Sequence, residues 1–113
     1  MEVKATRFNW YKNKSEWKPY HHDAAAVDPR KMDSQNFTVG VSFGKTREIA
    51  FQHAETRTTV FIPLNNGSIY TFGKNVNTTW RHGIPQIAEK CNIDEEFGRI
   101  SIILWGKNKQ VNY

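Results

Sequence analysis

In the stretch WKPYHHDAAA, Trp17 to Ala26, two histidines and an aspartate follow a proline and an aromatic residue. If this run is extended, side chains two apart share a face. His21 and Asp23 then present an imidazole and a carboxylate together, while His22 points the other way. That pair alone reads equally well as a polar strand end, so its meaning depends on a third group. His82, in TTWRHGIPQ, is the candidate. It sits at a strand end, Gly83 permits close approach of another backbone, and Pro85 ends the segment. Two imidazoles and one carboxylate with open positions left over suit non-heme Fe(II). A structural zinc site would more naturally recruit cysteines or a fourth ligand. His53, in FQHAETR, is expected to be exposed.

Arg99 adds a second kind of chemistry. In GRISIILWG, Arg99, Ser101, Ile103 and Trp105 share one face, and Ile100, Ile102 and Leu104 share the other. An arginine entering an apolar strand is costly unless an anion pairs with it. Its planar fork fits a carboxylate in bidentate fashion, and Ser101 on the same face can add a hydrogen bond. An exposed arginine at a strand end is the alternative. Asn9 and Tyr11, in RFNWYKN, again stand two apart and can reach one ligand together.

These residues need strands to hold them. ATRFNWY alternates as a strand, and NFTVGVSFG is a stronger one. REIAFQHA follows a short GKT turn and reads as its hairpin partner. TTVFIPL ends at NNG, whose Gly67 accepts a positive φ. SIYTF and GRISIILWG complete the set, and the one helix-like piece is PQIAEKC. Ala24 to Asn36 reads as irregular. About seven or eight short strands predict an all-β domain with a sandwich or jelly-roll count.

At 113 residues the chain is expected to be one domain, residues 1–113. A single cysteine, Cys91, excludes an internal disulfide framework. No long apolar run and no signal-peptide pattern occur, so the chain is expected to be soluble and intracellular, in the cytoplasm or a similar reducing compartment, with no membrane partner. Sixteen Lys and Arg against 11 Asp and Glu give a net charge of +5, which suits a polyanionic partner such as nucleic acid.

Taken in order, Asn-x-Tyr, His-x-Asp, a distal His and then Arg resemble the AlkB-like branch of the Fe(II)/2-oxoglutarate-dependent oxygenases. The similarity runs from about Arg7 to Gly106. The resemblance implies a double-stranded β-helix, a jelly-roll variant with few short helices. It implies Fe(II) on His21, Asp23 and His82, with 2-oxoglutarate and O2 as co-substrates. Arg99 would pair with the far carboxylate of 2-oxoglutarate, with Ser101, Asn9 and Tyr11 assisting. The implied reaction hydroxylates or oxidatively demethylates a substrate C–H bond and releases succinate and CO2.

Two positions depart from the pattern. Trp105 stands six residues after Arg99, where nucleic-acid demethylases of this kind carry a second arginine. Ala25 stands two after Asp23, where they commonly carry an acidic residue. Both departures are read as falling on substrate handling, not on iron or co-substrate. The Asn-x-Tyr strand also begins close to Met1, so the chain is expected to be a minimal member, a trimmed core, or a site covered by a partner. Substrate contacts are expected from Arg81, Trp10, Trp17, Arg30 and Lys31, with Tyr20, Lys12, Lys14 and Lys18 as further candidates. The substrate class is nucleic acid, or else a protein side chain or small molecule. A non-catalytic cupin-like module that holds a metal and a carboxylate is the second reading, and a plain β-sandwich interaction domain the third.

Overall fold

The structure, a computed structural model, describes residues 1–13, 15–87 and 98–108. Among the described residues, eight strands form two antiparallel four-stranded sheets. They are β1 (Glu2–Tyr11), β2 (Lys18–His21), β3 (Phe37–Gly44), β4 (Arg47–His53), β5 (Thr59–Leu64), β6 (Ile69–Gly73), β7 (Trp80–Ile84) and β8 (Arg99–Lys107). One sheet has the order β1-β8-β3-β6 and the other β2-β7-β4-β5. Most consecutive strands therefore lie in different sheets, as a jelly roll requires. Two short helices, α1 (Pro29–Met32) and α2 (Lys74–Thr79), and a 3-10 turn at Ala24–Ala26 occupy the connections. No helix among the described residues is long and apolar enough to cross a membrane.

Two local expectations change. β3 and β4 are not a hairpin: β8 and β6 already pair with both edges of β3, so the chain turns at Gly44 (φ 90°) and enters the other sheet. The hairpin is β4 with β5, whose turn is closed by His53. The Nδ1 of that histidine accepts from the backbone N–H groups of Glu55 and Thr56, so it is half-buried and not exposed. Ala24 to Asn36, expected to be irregular, holds the 3-10 turn and α1, which Asp28 caps through the Arg30 N–H. The helix expected at PQIAEKC lies mostly outside the described residues, and 85–87 are not helical. Gly67 has φ 83°, as its turn demands.

The interior is unusual in its chemistry. Ile49, Ala50, Leu64, Phe72, Ile84 and Tyr11 are buried between the sheets. Asp23, Thr38, Ser42, Arg47, Asn77, His82, Arg99 and Ser101 are buried too. Burying so many polar groups is costly unless each is paired or serves a ligand. Arg47 is paired: its guanidinium donates to the carbonyls of Glu16 and Pro85, tying the ends of two loops to β4.

The close approach of β2 and β7 depends on Gly83. A Cβ there would lie 2.6 Å from the Lys18 carbonyl oxygen and 2.9 Å from the Pro19 carbonyl carbon, both backbone atoms that cannot swing aside. This same strand pair carries His21 opposite His82. Gly83→Ala is therefore expected to cost about 1–3 kcal/mol in urea unfolding, as overpacking does. Unfolding indistinguishable from the wild type would show that the two strands are not in such tight contact.

Candidate metal and co-substrate site

A cavity of about 410 Å³ opens between the sheets. Strand parity selects most of the side chains that reach it, although Thr6 of β1 lines it as well. From β1 come Ala5, Arg7, Asn9 and Tyr11, and from β8 come Arg99, Ser101, Ile103 and Trp105. The antiparallel register sets Asn9 beside Ser101 and Tyr11 beside Arg99. From the other sheet, β2 supplies Lys18 and His21, and β7 supplies His82.

His21, Asp23 and His82 form one cluster, with one ligand atom of each within 4.8 Å of the others. β2 ends at His21, yet Asp23 keeps an extended backbone (φ −67°, ψ 154°), which turns its carboxylate toward the histidines. Asp23 Oδ1 lies 3.3 Å from His82 Nε2 and 3.7 Å from His21 Nε2. The Nδ1 of His21 is 2.9 Å from the Pro19 carbonyl, which can only accept. That bond places the proton on Nδ1 and leaves the Nε2 lone pair free for a metal. Burial, the largest influence, holds His21 below its ordinary pKa and so in the neutral, ligating form. Burial alone would raise the pKa of Asp23, but hydrogen bonding and charge from His82, with Trp105 and His21, outweigh it and hold the carboxyl below the usual range. His22 turns away to the Asn77 carbonyl, at 2.6 Å, and stays outside the cluster. Two imidazole nitrogens and one carboxylate oxygen on one side of an open cavity are the donor set that Fe(II) accepts.

Deeper in the cavity, Arg99 is 2% exposed. Its Nε donates to Ser42 Oγ at 2.9 Å, and its guanidinium lies 5.3 Å from the Tyr11 ring. The hydroxyl that touches Arg99 Nε is thus that of Ser42, while Ser101, its cross-strand neighbour, lines the cavity beside it. Among the described residues no carboxylate forms a salt bridge with Arg99. Burial, the largest influence, pushes its pKa down, against the opposing effect of Tyr11 and Tyr70. Tyr70, which no sequence signal singled out, walls this end; the absence of a Cβ at Gly40 makes room for its ring.

The expected substrate contacts divide. Lys31 lines the cavity, and so does Lys18. Trp10 and Trp17 are exposed and do not line it; Lys12 Nζ sits over the Trp10 ring at 5.1 Å. Arg30 projects into solvent and pairs with Asp28. Arg81 points to the opposite face of β7 from His82 and donates to Gln52 Oε1 at 2.9 Å. Trp105 needs the clearest correction. It faces the cluster, and its indole N–H donates to Asp23 Oδ2 at 3.0 Å, so this departure falls on the candidate metal site itself.

The family model of the 2OG-Fe(II) oxygenase superfamily matches residues 1–104. The chain belongs to that superfamily. Among solved structures it is similar to OsALKBH1, with a TM-score of 0.70 and 18% identity over 95% of this chain. The match covers 49% of that structure's chain, so this chain spans about half its length. No curated protein matches the chain. The likeness bears out the jelly-roll core of an AlkB-like fold. The superfamily uses Fe(II), 2-oxoglutarate and O2, and both the candidate His21–Asp23–His82 set and the buried Arg99 suit that chemistry.

Burial raises the Tyr70 pKa to about 12, and raises that of Tyr11 despite the nearby Arg99 and Arg47. Because the folded value of Tyr70 exceeds its unfolded value of about 10, its neutral phenol stabilises the fold fully below that pH. The contribution is lost as pH rises through about 12. Ultraviolet titration is expected to show a late tyrosinate component that Tyr70→Phe removes. Complete ionisation near pH 10 would mean that the phenol is not buried.

Proposed function

We propose that residues 1–113 act as one catalytic domain, an Fe(II)- and 2-oxoglutarate-dependent dioxygenase that hydroxylates or demethylates a substrate C–H bond. The observation that carries this reading is Arg99: a buried guanidinium in the same cavity as two histidines and an aspartate, with no carboxylate salt bridge among the described residues. His21, Asp23 and His82 would hold the metal. Bound Fe(II) would supply the redox chemistry that couples decarboxylation of 2-oxoglutarate, to succinate and CO2, to oxidation of the substrate by O2. Arg99 binds the distal carboxylate of the co-substrate, and the neutral Tyr11 and Tyr70 stand beside it as hydrogen-bond donors. Asn9 and Ser101 line the same end and orient it, while Ser42 holds the Arg99 guanidinium. Ile49 and Ile103 keep that end apolar, which strengthens the ion pair.

Arg7, Lys18 and Lys31 line the cavity from three separate elements. Burial and then the charge of Arg7 lower the Lys18 pKa, outweighing the opposing pull of Asp23. This basic wall, with the net charge of +5, favours a nucleic-acid substrate over a protein side chain or a small molecule.

With Fe(II) under O2, the protein is expected to convert 2-oxoglutarate to succinate, and His21→Ala and Asp23→Ala to abolish this. Arg99→Ala is expected to raise the 2-oxoglutarate KM roughly 10- to 150-fold, the loss of about 1.5–3 kcal/mol from a charged hydrogen-bonded pair. Metal binding without turnover would favour the cupin-like module instead. For single-stranded oligonucleotides, three phosphate contacts give a log–log salt slope of about −2. Salt-insensitive or absent binding would point to a protein or small-molecule substrate.

A further inference from the structure

We propose that Trp105 is a positioning residue for the metal-binding carboxylate, and that it limits Asp23 to a single ligating oxygen. The proposal rests on the metal-site reading above. The two oxygens of Asp23 have different surroundings. Oδ1 faces His82 Nε2 at 3.3 Å and His21 Nε2 at 3.7 Å. Oδ2 accepts from the Trp105 indole N–H at 3.0 Å and from Thr38 Oγ1 at 3.3 Å. Trp105 and Thr38 are directly opposite one another on β8 and β3, so the sheet register fixes both donors together. The Asp23 backbone N–H donates to Asn77 Oδ1 at 2.9 Å, which holds the residue from a third direction.

An indole N–H can only donate and keeps its proton throughout the accessible pH range. Oδ2 is therefore engaged as an acceptor by two groups that the sheet register holds in place. A carboxylate tied in this way offers a metal Oδ1 alone and occupies one coordination position. Two ligating oxygens would take a further position, one that a chelating co-substrate or O2 needs. Trp105 stands where related demethylases resemble one another in carrying an arginine. It keeps an N–H donor on the carboxylate while removing the positive charge. Hydrogen-bond partners of this kind commonly change metal affinity by about 10- to 100-fold.

The test compares Mn(II) affinity by calorimetry, and the visible spectrum of the Co(II)-loaded protein, in the wild type and three variants. Trp105→Phe keeps an aromatic ring but removes the donor. It is expected to bind Mn(II) about 10- to 100-fold more weakly and to alter the Co(II) spectrum. Trp105→Arg, which restores a donor, is expected to return affinity to within a few-fold of the wild type. Thr38→Val removes the weaker donor and is expected to fall between, so it decides the matter if Trp105→Phe does not fold. Circular dichroism of the metal-free proteins reports folding. Wild-type metal binding with unchanged affinity and spectrum in Trp105→Phe and Thr38→Val would overturn the positioning role alone. A wild type that binds neither metal would overturn the metal-site reading beneath it.

Discussion

A guanidinium enclosed between two β-sheets is the constraint around which the cavity is organised. Removing a charge from water costs several kcal/mol unless hydrogen bonds and an opposite charge replace the lost hydration. Arg99 receives part of that compensation, from Ser42 Oγ and the face of the Tyr11 ring. Among the described residues no carboxylate supplies the opposite charge, so this end of the cavity suits an anion. Arg47 shows the contrast within the same core. It is equally hidden, but its guanidinium reaches two backbone carbonyls and serves to anchor loops.

The two sheets divide the labour. The sheet containing β2 and β7 sets His21 opposite His82, with the missing side chain of Gly83 letting the strands meet. The sheet containing β1, β3 and β8 carries Arg99 and its neighbours in register. Asp23 joins the halves, because its Oδ1 faces the histidines of one sheet while Trp105 and Thr38 of the other hold its Oδ2. A shift of one residue in β8 would turn Arg99 and Trp105 out of the cavity together. Register thus protects the surroundings of Asp23 and of Arg99 as a unit.

The two-residue period of extended chain explains both what the sequence revealed and where reading it failed. It grouped Asn9 with Tyr11, and Arg99 with Ser101 and Trp105, and each group lines the cavity. The same rule, applied consistently, separates Trp10 from Asn9 and Arg81 from His82. Adjacency in sequence to a site residue, which in a strand means the opposite face, keeps Trp10 and Arg81 away from the cavity. The two-residue rule would also have added Arg7, two before Asn9. Pairing across sheets is less visible. A short turn between β3 and β4 looks like a hairpin until β8, far along the chain, is seen to occupy the edge. Ser42, Thr38, Asn77 and Tyr70 gave no signal because small polar residues and a lone tyrosine gain their roles only from what the fold brings beside them.

In the proposed reading, Arg99 takes the distal carboxylate of a co-substrate whose other end needs the metal. Calorimetric titration of 2-oxoglutarate under anaerobic conditions, with Mn(II) present and with metal chelated, tests the two ends separately from turnover. The account expects one molecule bound per chain, with clearly tighter binding when metal is present. It also expects succinate, which has two carboxylates but no 2-oxo group, to gain much less from the metal. Equal affinity for 2-oxoglutarate with and without metal, or no binding in either case, would contradict it.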